Sequence, residues 1–230
     1  MRPIRIQRGF TDVAAGSVLI EMGRTRVLCT ASFEESAPKW RQESGLGWVT
    51  AEYSMLPGST SPRKPRSRNG HTDGRGTEIQ RVVGRVLRAV VDFKKLGPNT
   101  INLDCDVLQA DGGTRTAAIN GSYVALVDAV RYGMKQGLLK ENPITAAVAA
   151  VSVGIIKGKA VLDPDYERDR QAAVDFTVAM TDKDKYVEIQ GTGEQSTFSD
   201  EQLEKLLKLA KKGIKEILLI QQKSIKNAMR

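Results

Sequence analysis

Apolar and polar residues alternate in several stretches of the chain, and this pattern predicts three β-hairpins. The first hairpin covers residues 17–31 and turns at Gly23-Arg24. The second covers residues 147–162 and turns at Lys157-Gly158. The third runs from residue 174 to residue 189 and turns within residues 182–185. A further alternating stretch, residues 101–107, predicts a half-buried strand.

Three other segments place apolar residues at helical spacing. The first spans residues 77–95, and its predicted buried face comprises Ile79, Val82, Val83, Val86, Leu87, Val90 and Val91. The second spans residues 117–130. The third runs from Ser199 to about Ile225, and it begins at a capping box formed by Ser199 and Gln202.

Hairpins that alternate with helices, without a linker between them, predict an α+β fold in one domain that spans residues 1–230. The composition is ordinary for a globular protein, since 40% of the residues are hydrophobic and 27% are charged. The formal net charge of +8 favours an acidic partner. Nucleic acid is preferred over a membrane, because no long basic amphipathic helix stands out.

The two cysteines, Cys29 and Cys105, lie in apolar, strand-like runs and are too few for a disulfide framework. No signal peptide is visible, and the longest apolar run is too short and interrupted to cross a bilayer. We therefore expect buried, reduced thiols in a cytoplasmic protein that has no membrane partner.

The segment from Gln109 to Thr116, with the sequence QADGGTRT, lies between the predicted strand 101–107 and the helix 117–130. The pair Gly112-Gly113 allows a sharp turn, after which the first amides of the helix, its positive dipole end and Arg115 can converge on one anion. A glycine pair at such a junction also has a plain alternative, which is turn formation without a ligand.

A polar, basic segment occupies residues 58–76 and carries five cations, Arg63, Lys64, Arg66, Arg68 and Arg75. One interpretation is a solvated insertion; the other is a basic arm that contacts RNA phosphates or a neighbouring subunit. The only histidine, His71, lies in this segment without an evident nucleophile partner, so histidine-based acid–base chemistry is not expected.

Arg75 precedes the first predicted helix and can reach a site shared with Arg115. Two guanidinium groups and a helix N-terminus suit a tetrahedral oxyanion. Farther along that helix, Arg81, Arg85 and Arg88 share a face, for which we expect a charged outer surface paired with acids such as Asp92.

Acidic residues cluster between residues 163 and 175. Asp163 and Asp165 flank Pro164 and are expected to form a turn. Asp175 lies on a predicted strand, on the same face as Thr177. If the intervening loop folds back, Asp169 and Asp175 can share a Mg²⁺ ion, which prefers carboxylate and phosphate oxygens.

Taken together, these motifs resemble the ribonuclease PH family, the phosphate-dependent exoribonucleases that trim tRNA 3′ ends. The resemblance runs along nearly the whole chain. Its motifs are GWVTAEYSMLP at residues 47–57, GRGTEIQR at 74–81, LDCDVLQADGGTRT at 103–116, Asn142-Pro143, and QGTGE at 190–194.

The resemblance implies a ribosomal-protein-S5-domain-2-like α+β fold and a homo-hexamer built as a trimer of dimers. It implies that inorganic phosphate, the co-substrate, attacks the last phosphodiester of tRNA precursors and other RNA 3′ ends. Matched motif by motif, the phosphate ligands are Arg75, Gly113, Thr114 and Arg115. The resemblance further implies that Asp169 and Asp175 hold Mg²⁺ or assist the proton transfer.

The sequence departs from the family pattern ahead of Met1, where the family usually has a short Arg- and polar-rich segment, and at two further places. Gly76 replaces the threonine that usually follows the motif arginine, which affects the placement of Arg75. Arg168 and Arg170 flank Asp169, and either can pair with its carboxylate in competition with a metal ion.

Two alternatives to a tRNA-trimming enzyme stay open. One is an exosome-type or polynucleotide-phosphorylase-type ring subunit, which has similar chemistry but acts on other RNA. The other is a non-catalytic RNA-binding scaffold, which the basic residues Arg63, Arg66 and Arg68 alone would support.

Overall fold

The computed structural model describes residues 1–66 and 73–227. Nine strands are formed in the described residues: β1 Ile4–Arg8, β2 Gly16–Met22, β3 Thr25–Glu34, β4 Trp48–Met55, β5 Thr100–Gln109, β6 Val148–Ile156, β7 Lys159–Leu162, β8 Ala172–Thr181 and β9 Tyr186–Thr192. The α-helices in these residues are α1 Gly74–Arg88, α2 Phe93–Leu96, α3 Thr114–Lys135, α4 Tyr166–Asp169 and α5 Asp200–Lys226. This arrangement confirms the predicted α+β class.

The strands form two sheets. The first has the order β1-β2-β3-β5-β4 and the second the order β7-β6-β8-β9. All pairs are antiparallel except β4 and β5, which run parallel. A parallel pair needs a long crossover connection, and here residues 56–99, which include α1, provide it.

The parallel pair brings two connections to one edge of the first sheet, because the carboxyl ends of β4 and β5 lie side by side. The amide of Leu56 donates to the carbonyl of Val107, and the amide of Ala110 donates to the carbonyl of Ser59. The segment that leads into α1 and the glycine turn that leads into α3 therefore start at the same place. Ligands commonly bind at such an edge in sheets with parallel strands.

All three predicted hairpins are confirmed, with turns between β2 and β3, between β6 and β7, and between β8 and β9. The capping box of Ser199 and Gln202 at the start of α5 is also confirmed. These features are set by residues near one another in the chain, which explains why the sequence pattern located them.

The predicted end of the first helix, at residue 95, is wrong. Helix α1 ends at Arg88, and a separate short helix, α2, follows and is capped by the Asp92 carboxylate. The backbone of Val90 accepts a hydrogen bond from Thr145, and Val91 forms a β-bridge with Ile144. Contacts with a distant loop thus replace the last turn of the helix.

Helix α3 lies between the two sheets and is buried along most of its length. It packs against β2, β3 and β5 on one side and against β6 on the other. Its small residues permit this close approach; a Cβ atom at Gly121 would lie only 2.7 Å from the Cys29 Sγ. Helix α3 is therefore packed closely against the first sheet.

Asn120 joins α3 to the second sheet. Its side-chain Nδ2 donates to the Ala150 carbonyl at 2.9 Å, and its Oδ1 accepts from the Ala150 amide at 2.8 Å. Strand β7 pairs only with residues 153–156 of β6, so the backbone at Ala150 is beyond its reach. Asn120 replaces the missing strand at that point.

We expect Asn120→Ala to lower the free energy of unfolding by about 2–6 kcal/mol, since two buried backbone groups each lose a partner at roughly 1–3 kcal/mol. Urea unfolding followed by circular dichroism measures the change. Ser122→Ala is the matched control, because the side chain of this buried residue of α3 bonds, among the described residues, only to the weakly polar thiol of Cys105. Equal losses in the two variants would contradict this role of Asn120.

Candidate active site

The turn between β5 and α3 has the geometry of an anion cradle. Gly112 and Gly113 both adopt left-handed backbone conformations, with φ values of 75° and 65°. A Cβ atom at Gly112 would lie 2.9 Å from the backbone of Pro164 and Asp165, so the close approach also requires glycine. Because the N-cap Gly113 supplies no side-chain oxygen, the first amides of α3 are left for an external anion.

Arg115 projects from the first turn of α3 into a set of polar groups. Its Nη1 donates to Gln190 Oε1 and its Nη2 to Glu78 Oε2, both at 2.7 Å. Thr177 Oγ1 lies 3.4 Å from Nη1. The Nε of Arg115 is buried and has no hydrogen-bond partner among the described residues. A buried donor of this kind calls for an acceptor, and an anion would supply one.

Arg75 is the second residue of α1 and its side chain is exposed. Its charge acts on the same groups as the charge of Arg115. Burial raises the pKa of Tyr53 and of Asp169, and both guanidinium groups oppose that rise. Burial dominates at Tyr53 and raises its pKa to about 12. The neutral Tyr53 hydroxyl donates to Thr114 Oγ1 at 2.8 Å, which fixes the start of α3.

Asp169, at the end of α4, and Asp175, on β8, form the second half of the site. Burial raises the pKa of Asp169, and the Arg75 charge opposes this. Burial also raises the pKa of Asp175, to about 6, and the Asp169 charge adds to the rise while Arg115 opposes it. The two carboxylates therefore lie within electrostatic reach of each other and of Arg115, and Asp169 also lies within reach of Arg75.

The carboxylate pair is compatible with a divalent cation. Two half-buried carboxylates repel each other, and a hard cation removes that repulsion. No group of three or more potential metal-ligating side chains is present in residues 1–66 and 73–227. A cation at this position would take its remaining oxygen ligands from water or from phosphate.

The arginines that flank Asp169 do not neutralise it. Arg168 lies 3.9 Å from Asp165, and Arg170 lies 3.8 Å from Glu167. The predicted competition between these arginines and a metal ion therefore has no basis in the structure.

The expectation for Asp163 and Asp165 was incomplete. Asp165 caps α4 by accepting from the Arg168 amide. Asp163 adopts a left-handed turn conformation, but its carboxylate is fully buried against the Arg2 guanidinium. Burial of a carboxylate requires such a partner. The sequence pattern could not show this pair, because its members are 161 positions apart.

Gly76, the departure in the family motif, lies in the first turn of α1. A Cβ atom there would lie 3.0 Å from Asp73 Oδ2 and 3.4 Å from the Tyr53 carbonyl oxygen. Asp73 in turn forms an ion pair with Lys64, whose hydrogen bond is the main cause of the lowered pKa of Asp73. The packing at Gly76 and this ion pair hold the helix start that carries Arg75.

The basic segment is only partly described. Arg63 and Arg66 are exposed. Arg68 and His71 lie outside the described residues.

On the outer face of α1, Arg85 pairs with Glu188, and Arg88 lies over the Trp48 ring and donates to the Val49 carbonyl. The predicted pairing of this face with Asp92 is wrong, because Asp92 caps α2 instead.

Four residues near the site were not predicted as functional from the sequence: Arg2, Tyr53, Glu78 and Gln190. Tyr53, Glu78 and Gln190 lie within the family motifs, so the motifs contained the signal. No sequence pattern marked Arg2 as a site residue, since the strand that follows it, β1, was not predicted.

The titration of Asp175 gives a testable pH dependence. Its folded pKa of about 6 exceeds the unfolded value of about 3.9, so the folded state binds more protons between these values. Wild-type stability should therefore fall, relative to Asp175→Asn, as the pH rises from about 4 to about 6. Urea unfolding in EDTA without phosphate measures the difference. Asp12→Asn, at an exposed carboxylate, is the control, and a pH-independent difference for Asp175→Asn would refute the assignment.

Comparison with known proteins places the chain in a family. The models for domains 1 and 2 of the 3′ exoribonuclease family match residues 1–131 and 146–213. The prediction of one domain over residues 1–230 stays a prediction.

Relatives and solved structures agree with this match. The chain is 57% identical to "Ribonuclease PH" from Corynebacterium kroppenstedtii over 98% of its length and 89% of the relative's. It is 54% identical to "Ribonuclease PH" from Corynebacterium efficiens, covering 98% of this chain and 92% of that one. The fold matches the crystal structure of rice Rrp46, with a TM-score of 0.79, 17% identity, and coverage of 98% of this chain and 96% of that one. It also matches the Archaeoglobus fulgidus exosome with RNA bound to the active site, with a TM-score of 0.75, 20% identity, and coverage of 94% and 87%.

The two structures, at such low identity, support the fold alone, whereas the family models and the relatives establish the kinship. They confirm the resemblance drawn from the motifs and the α+β architecture that it implied. The chain belongs to the 3′ exoribonuclease family.

Proposed function

We propose that this protein is a phosphate-dependent 3′-to-5′ exoribonuclease that shortens tRNA precursors and other RNA 3′ ends and releases nucleoside diphosphates. The observation that supports it most is the Nε of Arg115 beside the glycine turn, which is buried and has no hydrogen-bond partner within residues 1–66 and 73–227. An orthophosphate in contact with this nitrogen would also meet the first amides of α3 at Gly113 and Thr114 and the charge of Arg75.

The proposed reaction uses an orthophosphate bound in this position. An oxygen of orthophosphate attacks the phosphorus of the terminal nucleotide, and the bond from that phosphorus to the 3′ oxygen of the preceding nucleotide breaks. The products are a nucleoside 5′-diphosphate and an RNA shortened by one nucleotide, whose new 3′ oxygen takes up a proton. Phosphoryl transfer needs mainly positioning and charge neutralisation, which two arginines and helix amides provide.

Asp169 and Asp175 hold Mg²⁺ or assist the proton transfer in this proposal. When bound by these carboxylates, Mg²⁺ would supply a positive charge that stabilises phosphate oxygens and offsets the repulsion of the two carboxylates. With a pKa raised to about 6, Asp175 can also carry a proton near neutral pH more readily than an exposed aspartate.

We further propose that the enzyme acts as a homo-hexamer, a trimer of dimers, as the family resemblance implies. The edge strand β9 exposes Tyr186 and Ile189, which is consistent with a subunit contact.

The free, buried thiols of Cys29 and Cys105 are compatible with the proposed cytoplasmic location. None of the described helices is long and apolar enough to span a membrane.

The proposal is tested with purified protein, a tRNA bearing extra 3′ nucleotides, Mg²⁺ and phosphate. Release of nucleoside diphosphates that depends on phosphate supports the proposal. RNA binding without phosphate-dependent shortening would support the scaffold alternative. A preference for long mRNA over tRNA precursors would support the exosome-like alternative.

We expect Arg115→Ala to lower the phosphorolytic kcat/KM by roughly 100-fold or more, because the main guanidinium contact to phosphate is lost. Thermal unfolding should change little, since the paired Glu78 side chain is 38% exposed and can be solvated. Arg131→Ala, on the exposed end of the same helix, is the control and should retain activity. Wild-type turnover by Arg115→Ala at low phosphate would refute the placement.

We also propose that Arg63, Arg66 and Arg68 bind RNA phosphates. Replacing all three with alanine should weaken RNA binding and flatten its dependence on salt, by about one unit of log–log slope for each lost phosphate contact. Filter binding at several salt concentrations measures the slope. Light scattering detects any change in oligomeric mass. The triple variant Arg5, Arg24 and Arg26→Ala is a charge-matched control. The role would be ruled out by equal slopes for the wild type and the loop variant.

A further inference from the structure

Arg2 precedes β1, and its side chain reaches the glycine turn at the start of α3. Its Nη1 donates to the Asp111 carbonyl at 2.6 Å, and both terminal nitrogens lie 3.5 Å from the Gly112 carbonyl oxygen. The Thr25 hydroxyl donates to that same carbonyl at 2.6 Å and accepts from the Asp111 amide. Arg2 and Thr25 therefore hold the carbonyl groups of the turn on one side.

This arrangement determines where the amides of the turn point. In a trans peptide the carbonyl oxygen and the following N–H point in opposite directions. With the Gly112 carbonyl directed to Arg2 and Thr25, the Gly113 N–H points away from them. A turn with its carbonyls held back presents N–H groups, rather than oxygens, to an anion.

The same guanidinium links the turn to the part of the chain that carries the carboxylates. The Arg2 Nε and backbone amide donate to Asp163 Oδ2 at 3.0 Å, and Nη2 donates to Asp163 Oδ1 at 2.5 Å. The Asp163 side chain is fully buried. Asp163 is followed by Pro164 and by α4, which ends at Asp169.

We propose that Arg2 is a positioning residue for the reaction: it orients the glycine turn toward phosphate and fixes the turn to the segment that leads to Asp169. This inference rests on the proposed function, because it concerns the same phosphate site. Arg2 does not touch the substrate in this proposal. It acts through the backbone of Asp111 and Gly112.

Lysine is the informative substitution. It keeps one positive charge, so the buried Asp163 retains a partner. Its three donors all lie on one nitrogen, so it cannot reproduce the contacts that the Nε, Nη1 and Nη2 of Arg2 make at three separate positions. Arg2→Lys therefore separates the orientation of the turn from the neutralisation of Asp163.

Arg8, at the other end of β1, is a matched control. Its guanidinium pairs with the fully buried carboxylate of Asp128. It also donates to the carbonyls of Ser224 at 3.1 Å and Asn227 at 2.7 Å. Arg8 thus has the same chemistry as Arg2, but its partners lie on α3 beyond the site and at the end of α5.

The experiment compares wild type, Arg2→Lys and Arg8→Lys by thermal unfolding, by RNA affinity, and by kcat and the KM for phosphate at saturating RNA. We expect both variants to lose thermal stability. Arg2→Lys alone should raise the KM for phosphate, by roughly tenfold, because the amides of the turn are misplaced. RNA affinity should be unchanged in both variants.

An unchanged KM for phosphate in a folded Arg2→Lys variant would overturn the inference, as would an equal rise in Arg8→Lys. If Arg2→Lys does not fold, Thr25 answers the same question. Thr25→Val removes the other donor to the Gly112 carbonyl, whereas Thr25→Ser keeps it. A raised KM in Thr25→Val alone supports the positioning role, and equal values in both refute it. A wild-type protein without phosphate-dependent activity would instead refute the proposed function.

Discussion

The parallel pairing of β4 with β5 is the constraint on which the site depends. If β4 and β5 were antiparallel, the connections that follow them would leave from opposite ends of the strands, and α1 and α3 would begin far apart. The parallel register places the segment after Met55 beside the turn after Gln109. This backbone geometry places the helix starts that carry Arg75 and Arg115 close to each other. The chemistry of the site thus begins with strand direction.

The start of α3, where the site lies, is held in place by burial. Helix α3 is packed between two sheets, and its first turn is fixed by Tyr53 through Thr114 and by the glycine turn that precedes it. Charged groups in this setting lose solvation, which raises the pKa of both Asp169 and Asp175. The folded chain tolerates this cost because arginines oppose it. A ligand that carries phosphate and a cation would neutralise the same charges further.

Local sequence patterns predicted the hairpins, the capping box of α5 and the glycine turn, because each depends on neighbouring residues. They did not predict where the first helix ends. Val90 and Val91 pair instead with the backbone of a loop some fifty positions away. The partners of Arg115 were equally hidden, because Glu78 and Gln190 come from distant elements. The family motifs marked these residues as a group, but only the fold shows which atoms meet.

We propose that Arg115, Arg75 and the amides of the glycine turn surround orthophosphate beside Asp169 and Asp175. A crystal structure determined with phosphate tests it most directly. We predict tetrahedral density within hydrogen-bonding distance of Arg115 Nε and of the Gly113 or Thr114 amide, with Arg75 turned toward it. Density for phosphate elsewhere only, with Arg75 and Arg115 directed apart in every subunit, would contradict the account.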